Sequence, residues 1–234
     1  MRQSARRRWL RPPQFEREQQ ALTSSDLDGE IIDAGSAPEG RIDLKSNLVH
    51  ADASNFADDV TKDDAYEQVL LQTEGLCTGQ RNWLSLTPRS NLANAASLLW
   101  HGYKSLPAPS KEVNWAGFYV LDPSSSKPQL ILGPFQGKVA CQTIEFGRGV
   151  CGTAASTRQT QVVADVDQFP GHIACDGDSR SEIVVPILAD KDGSGEKKVV
   201  AIIDVDCAAL DGFDELDRKY LEELAELLGK SCDW

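Results

Sequence analysis

The alternation of apolar and polar positions divides the chain into a patternless beginning, a helical stretch, a strand-rich centre and a closing helix. From Asp63 to Leu76, Tyr66, Val69, Leu70 and Thr73 recur at helical spacing behind an aspartate placed to cap, and Gly75 and Gly79 end the run. A polar, proline-containing turn at Thr87–Ser90 precedes a second predicted helix, Asn91–Lys104, with Leu92, Ala95, Ala96, Leu99 and Tyr103 along one face and Pro107 and Pro109 beyond its end. The period then changes. WAGFYVL and QLILG are short aromatic and branched runs bounded by Pro, Ser and Gly, so they read as a hairpin. Gln136–Phe146 alternates as a third strand, and GRGVCGTAAS opens a short helix near Cys151. EIVVPIL and KVVAIIDVD flank a polar loop at Asp190–Glu196, a second hairpin. Asp214–Gly229 places Leu216, Tyr220, Leu224, Leu227 and Leu228 on one helical stripe. Helices, then mostly antiparallel strands, then a helix make an α+β architecture.

Composition narrows the functional classes. Among 234 residues the formal charge is −12, which argues against a general binder of nucleic acid or anionic membranes. No apolar stretch approaches the roughly 20 residues of a membrane-spanning helix, so the expectation is a soluble, cytoplasmic protein. Residues 1–57 carry no sustained period and are rich in Arg, Ser, Asp, Gly and Gln, as in a disordered extension, leaving 58–234 as the folded domain. The basic opening MRQSARRRWLRPPQ has the flavour of a mitochondrial transit peptide. Pro12 and Pro13 interrupt the helix such a peptide needs and acids begin at Glu16, so targeting is the minor reading.

Six cysteines, with no apolar leader ahead of them, do not form the dense framework of a small secreted domain. Cys141, Cys151 and Cys175 stand in a glycine-rich region that reads as the wall of a pocket, where thiols can approach a small ligand. No C-x-x-C pair exists, so no metal is expected, although His172 beside Cys175 has the chemistry to activate a thiol or to join three cysteines around zinc. Glu182 precedes an apolar strand, and Asp204 and Asp206 alternate along another and share a face. Trp115 and Tyr119, four apart on a strand, also face one way. Strand-end solvation and plain core packing are the bland alternatives for these acids and aromatics. Cys77, Cys207 and Cys232 read as inert thiols, and His101 as a packed or solvated histidine.

From about Tyr66 to Trp234 the chain resembles the GAF-domain free methionine-R-sulfoxide reductases, in their eukaryotic microbial form. NWAGFYV, GPFQGKVAC, GRGVCGTAA, PGHIACDG, SEIVVPI and IDVDC carry the resemblance, in the family's order. It implies a GAF-like six-stranded antiparallel sheet with helices on one face and a ligand pocket on the other. It also implies reduction of free methionine-R-sulfoxide through a cysteine sulfenic acid and a disulfide. No cofactor would be bound, and thioredoxin would restore the enzyme, drawing on NADPH through its reductase. A homodimer is a further expectation. By the same resemblance Cys175 attacks, Cys141 resolves and Cys151 relays the disulfide. Glu182, Asp204 and Asp206 hold the ammonium and sulfoxide, with Glu182 or Asp206 as proton donor, while Trp115 and Tyr119 box the S-methyl. Local electrostatics leave the order of the thiols open, because a helix start favours thiolate at Cys151 and Asp176 and Asp178 disfavour it at Cys175. The rival readings are a non-enzymatic GAF sensor and a redox switch without turnover.

Overall fold

The computed structural model describes residues 56–57, 59–77, 87–172, 176–191 and 193–234. The extension assigned to 1–57 lies, apart from 56 and 57, outside the described residues, as does Cys175. In chain order the elements are α1 (Lys62–Cys77), α2 (Thr87–Ser105), β1 (Val113–Leu121), β2 (Gln129–Gly137), β3 (Thr143–Glu145), α3 (Gly149–Thr157), β4 (Gln161–Val163), β5 (Ser181–Ala189), β6 (Lys198–Cys207) and α4 (Glu215–Ser231).

The six strands form one sheet in the order β3-β2-β1-β6-β5-β4, with every neighbouring pair antiparallel. Because successive side chains on a strand point to opposite faces, each strand feeds two separate cores. On one face Ala116, Phe118, Ile183, Ile203 and Val205 pack in a cluster with Leu92 and Leu99 of α2, Tyr66 of α1, and Leu221, Leu224 and Leu228 of α4. Each fully buried aliphatic side chain there contributes about 1.5–3 kcal/mol through removal of its surface from water. On the other face Trp115, Tyr119, Val184 and Ile202 pack with Val150, Ala154 and Ala155 of α3. Three helices thus back the sheet, and the short α3 stands on the side that carries the acids.

The last helix begins on a capping box, in which Asp214 accepts from Leu216 N and Asp217 N while Asp217 accepts from Asp214 N. Such a cap stabilises a helix by about 1 kcal/mol. Asp217 also ties α4 to α1, since it is fully buried, pairs with Lys62 and accepts a 2.7 Å bond from the Tyr66 hydroxyl.

Several boundaries differ from the sequence reading. Helix α1 continues through Gly75 to Cys77, because one glycine costs only about 1 kcal/mol inside a helix whose face is already buried. The predicted turn at Thr87–Ser90 is the first turn of α2, where the missing N–H of Pro88 is no loss. The third strand is three residues long rather than eleven: Gln136 and Gly137 belong to β2, and 138–142 form a connecting segment that includes Cys141. The short β4, which pairs with β5, carried no readable alternation of its own.

Candidate active site

Strand register assembles the site. Asp206 on β6 stands between Trp115 on β1 and Glu182 on β5, and two residues away Asp204 stands between Gly117 and Val184. Trp115, Asp206, Glu182 and Asp204 therefore share the face turned away from α1, α2 and α4, and sequence parity predicts this for Asp204 and Asp206. Over them lies a cavity of about 300 Å³ that Tyr119, Cys141, Cys151, His172, Asp176 and Ser179 also line. Cys151 is the third residue of α3, and it reaches this cavity because α3 presses on the end of β3. A Cβ at Gly152 would lie only 2.3 Å from the Glu145 carbonyl oxygen, so only glycine permits that approach.

The floor is acidic and largely buried. Glu182 and Asp204 are each only 6% exposed, and Cys151 Sγ lies 3.4 Å from Glu182 Oε1. Asp204 Oδ1 is buried with no hydrogen-bond partner among the described residues. Burial, reinforced by Asp204 and Asp206, pushes the Glu182 carboxyl well above the usual range, and burial pushes Asp204 up to about 7. Asp206 is raised as well, by burial and then by Asp204, against a hydrogen bond from Ser179. Without a cation the floor holds protons, since carboxylates this close in low dielectric cannot all ionise.

The same field corrects the expectation for Cys151. It sits at a helix start, as read from the sequence, yet burial and then the carboxyls of Asp204, Glu182 and Asp206 push its thiol upward. A helix dipole acts through partial charges and is outweighed by burial and several acids around one cavity.

The aromatic wall is stacked. The Trp115 and Tyr119 rings lie 5.8 Å apart at 24°, and Phe135 also stacks on Trp115, at 5.1 Å. Both polar ends are used to hold the segment that bears Cys141: Trp115 Nε1 donates to Lys138 O at 3.1 Å, and the Tyr119 hydroxyl donates to Cys141 O at 3.1 Å. Cys141 is held in a disulfide, whereas Cys77, Cys151, Cys207 and Cys232 are free. Of the residues given no role, Cys207 is fully buried on the opposite face of β6 from Asp206, and His101 is exposed.

Two contributors were not singled out in the sequence. Asn114 donates to Asp176 Oδ2 at 3.2 Å and to Ser179 Oγ at 3.0 Å, bracing the turn that begins at Asp176. Strand parity turns Asn114 away from Trp115, and the register shift between Val113 and Trp115 hides its reach. Lys138 pairs with Asp176 at 3.3 Å and Asp178 at 2.5 Å, so the two aspartates expected to repel a thiolate at Cys175 are partly neutralised by a lysine 38 and 40 positions before them. No local pattern carries such a long-range pairing.

Residues 111–231 match the GAF domain family. The chain is 54% identical to the free methionine-R-sulfoxide reductase of Saccharomyces cerevisiae over 183 residues, which covers 78% of this chain and 94% of that protein. A solved GAF domain superimposes with a TM-score of 0.71 at 51% identity, covering 81% of this chain and 99% of the other. The free methionine-R-sulfoxide reductase of Neisseria meningitidis, solved in complex with its substrate, superimposes with a TM-score of 0.63 at 39% identity, covering 76% and 93%. With the family matched across the sheet and a relative more than half identical along most of its length, the chain belongs to the GAF-domain free methionine-R-sulfoxide reductases.

Proposed function

We propose that this protein reduces free L-methionine-R-sulfoxide to L-methionine. The observation that carries the reading is the trio of buried Glu182 and Asp204 with half-buried Asp206, which lines one small cavity with the stacked Trp115 and Tyr119. A free amino acid brings an ammonium to the acids, and its S-methyl finds an apolar wall. The N-terminal turn of α3, from Arg148 to Cys151, also lines the cavity and offers amide N–H groups and positive dipole to the carboxylate. An acid floor repels phosphate, which speaks against a nucleotide-sensing role.

In the proposed cycle the Cys175 thiolate attacks the sulfoxide sulfur while Glu182 or Asp206 delivers a proton to the departing oxygen. The S–O bond breaks, the sulfur of the substrate is reduced to the thioether, and Cys175 is oxidised to a sulfenic acid. The Cys141 thiol then displaces water from that sulfenic acid to form a disulfide, which Cys151 relays and thioredoxin reduces with electrons drawn from NADPH through its reductase. The raised carboxyls support the proton-donor role, since a donor must still hold its proton near neutral pH. The upward shift at Cys151 supports giving attack to Cys175, because the protonated thiol is the poorer nucleophile.

Single turnovers of reduced thiol variants test this order. Cys175→Ser should form no methionine. Cys141→Ser should release about one methionine per site and stall as a trappable sulfenic acid. Cys151→Ser should keep the first turnover and recycle poorly with thioredoxin. A burst from Cys175→Ser with none from Cys151→Ser would reverse the assignment.

A further inference from the structure

Cys151, Glu182 and Asp204 each present one ligand atom, and the three atoms lie within 4.8 Å of one another. We infer that they form an inhibitory site for a thiophilic divalent cation of the zinc class. Zinc binds thiolate at about 2.3 Å and carboxylate at about 2.0–2.2 Å, so small side-chain rotations would bring all three donors onto one ion. The Cys151 Sγ to Glu182 Oε1 separation of 3.4 Å already suits two ligands of a tetrahedral centre. Asp204 contributes a second sign: the residue is only 6% exposed, its carboxyl interacts with Cys151 and Glu182, and its Oδ1 is still left without a hydrogen bond among the described residues, an oxygen that a cation would stabilise. Asp206 lines the same cavity and can take the fourth position, as can water.

The donor set also discriminates. Magnesium and calcium favour all-oxygen shells, whereas a thiolate beside two carboxylates suits zinc. One thiolate and two carboxylates carry −3 and a divalent ion leaves −1, so the cation lets the cluster ionise where otherwise protons hold it neutral. The step is a proton exchange without redox change: one Zn–S and two Zn–O bonds form, and the thiol proton and any carboxyl protons leave to solvent. The cation site rests on the geometry of the cluster. Only its consequence, competition with substrate, rests on the proposed function, because the ammonium needs the same carboxylates.

The test uses the full-length protein, fully reduced. Zinc is titrated against a chromophoric chelator, and cobalt(II) is followed by the near-ultraviolet charge-transfer band of a cobalt–thiolate bond. The expected result is one tight equivalent, a cobalt–thiolate band, and at least tenfold weaker zinc binding in Cys151→Ser and in the nearly isosteric Asp204→Asn, with the band lost in the first. Cys141→Ser, Cys175→Ser and Cys232→Ser should bind as the wild type does. Unchanged zinc binding and an unchanged cobalt band in Cys151→Ser would overturn the site. So would loss of binding in Cys141→Ser or Cys175→Ser, or in Cys232→Ser, whose sulfur is hydrogen-bonded to that of Cys77. Melting curves of each variant distinguish a lost ligand from a lost fold. L-methionine should weaken apparent zinc affinity, and zinc bound equally well in its presence would remove the competition. Failure to bind zinc in a protein that still reduces the sulfoxide would overturn this inference and leave the proposed function standing.

Discussion

Glu182 on β5 and Asp206 on β6 are direct cross-strand partners, and both side chains open into the same cavity. Like charges directly opposite on a sheet repel and destabilise it. The chain tolerates the pair because burial and the neighbouring acids hold both carboxyls above their ordinary range, which favours their neutral forms over two facing charges. A bound ammonium would change that balance, with consequences for both catalysis and stability.

Substrate affinity should fall in acid. Holding an ammonium favours ionised carboxylates, and Asp204 binds its proton with a value of about 7. Below that pH, KM should rise by up to about tenfold per pH unit for each proton that must leave, while kcat changes less. Initial rates from about pH 5 to pH 8.5 check this, and a KM flat through that range would show that the carboxyls do not meet the ammonium.

The same shift has an opposite signature in stability. An aspartate whose folded value lies above its unfolded value binds more protons in the native state, so ligand-free stability should fall as pH rises from about 4 towards 7. Asp204→Asn should therefore melt higher than the wild type at pH 8, with the gain vanishing near pH 4, while KM for the sulfoxide rises. Melting curves at the two pH values decide it; a variant that melts lower at pH 8 would mean that the charged form is stabilised.

Tyr119→Phe isolates one hydrogen bond. The ring keeps its stack on Trp115, but the Cys141 carbonyl loses its donor, at a cost of about 1 kcal/mol. The first turnover should survive nearly unchanged, whereas disulfide formation at Cys141 should slow. Quenched-flow trapping of the sulfenic acid measures that step, and equal slowing of methionine release would instead assign the hydroxyl to the chemical step.

Gly152→Ala should displace α3. The added methyl meets the Glu145 carbonyl oxygen at 2.3 Å, and a backbone atom cannot swing aside. Overpacking of this kind costs typically about 1–3 kcal/mol, and it would carry Cys151 away from Glu182. Thermal unfolding should show the loss, with sulfoxide reduction impaired even below the melting transition.

Much of this arrangement is legible in the sequence, because a strand's period of two is exact. The alternation in IIDVDC places Asp204 and Asp206 on one face, and the odd-numbered aromatics of NWAGFYV place Trp115 and Tyr119 together; the sheet bears out both. Strong apolar runs likewise reveal β5, β6 and the stripe of α4. The three-residue β4 has too few positions to show a period, and the span from Gln136 to Phe146 alternates across a connection as though it were one strand. Hidden too are effects of distance. Cys151 is buried against the acids only through the packing of α3 on the sheet, so the rise of its thiol, due first to burial and then to Asp204, Glu182 and Asp206, leaves no sign in the local sequence. Lys138 and Asp176 meet only once their two connecting segments lie side by side.

The most direct measurement is turnover of three substrates by the same purified protein, supplied with thioredoxin, its reductase and NADPH: free L-methionine-R-sulfoxide, the free S epimer, and the N-acetylated R epimer. Steady NADPH consumption is expected with the free R epimer alone. The S epimer presents its oxygen and methyl in exchanged positions, and the acetylated compound brings no ammonium to Glu182, Asp204 and Asp206. Comparable turnover of the N-acetylated sulfoxide would refute this mode of recognition, since the three acids would then have no part in choosing the substrate.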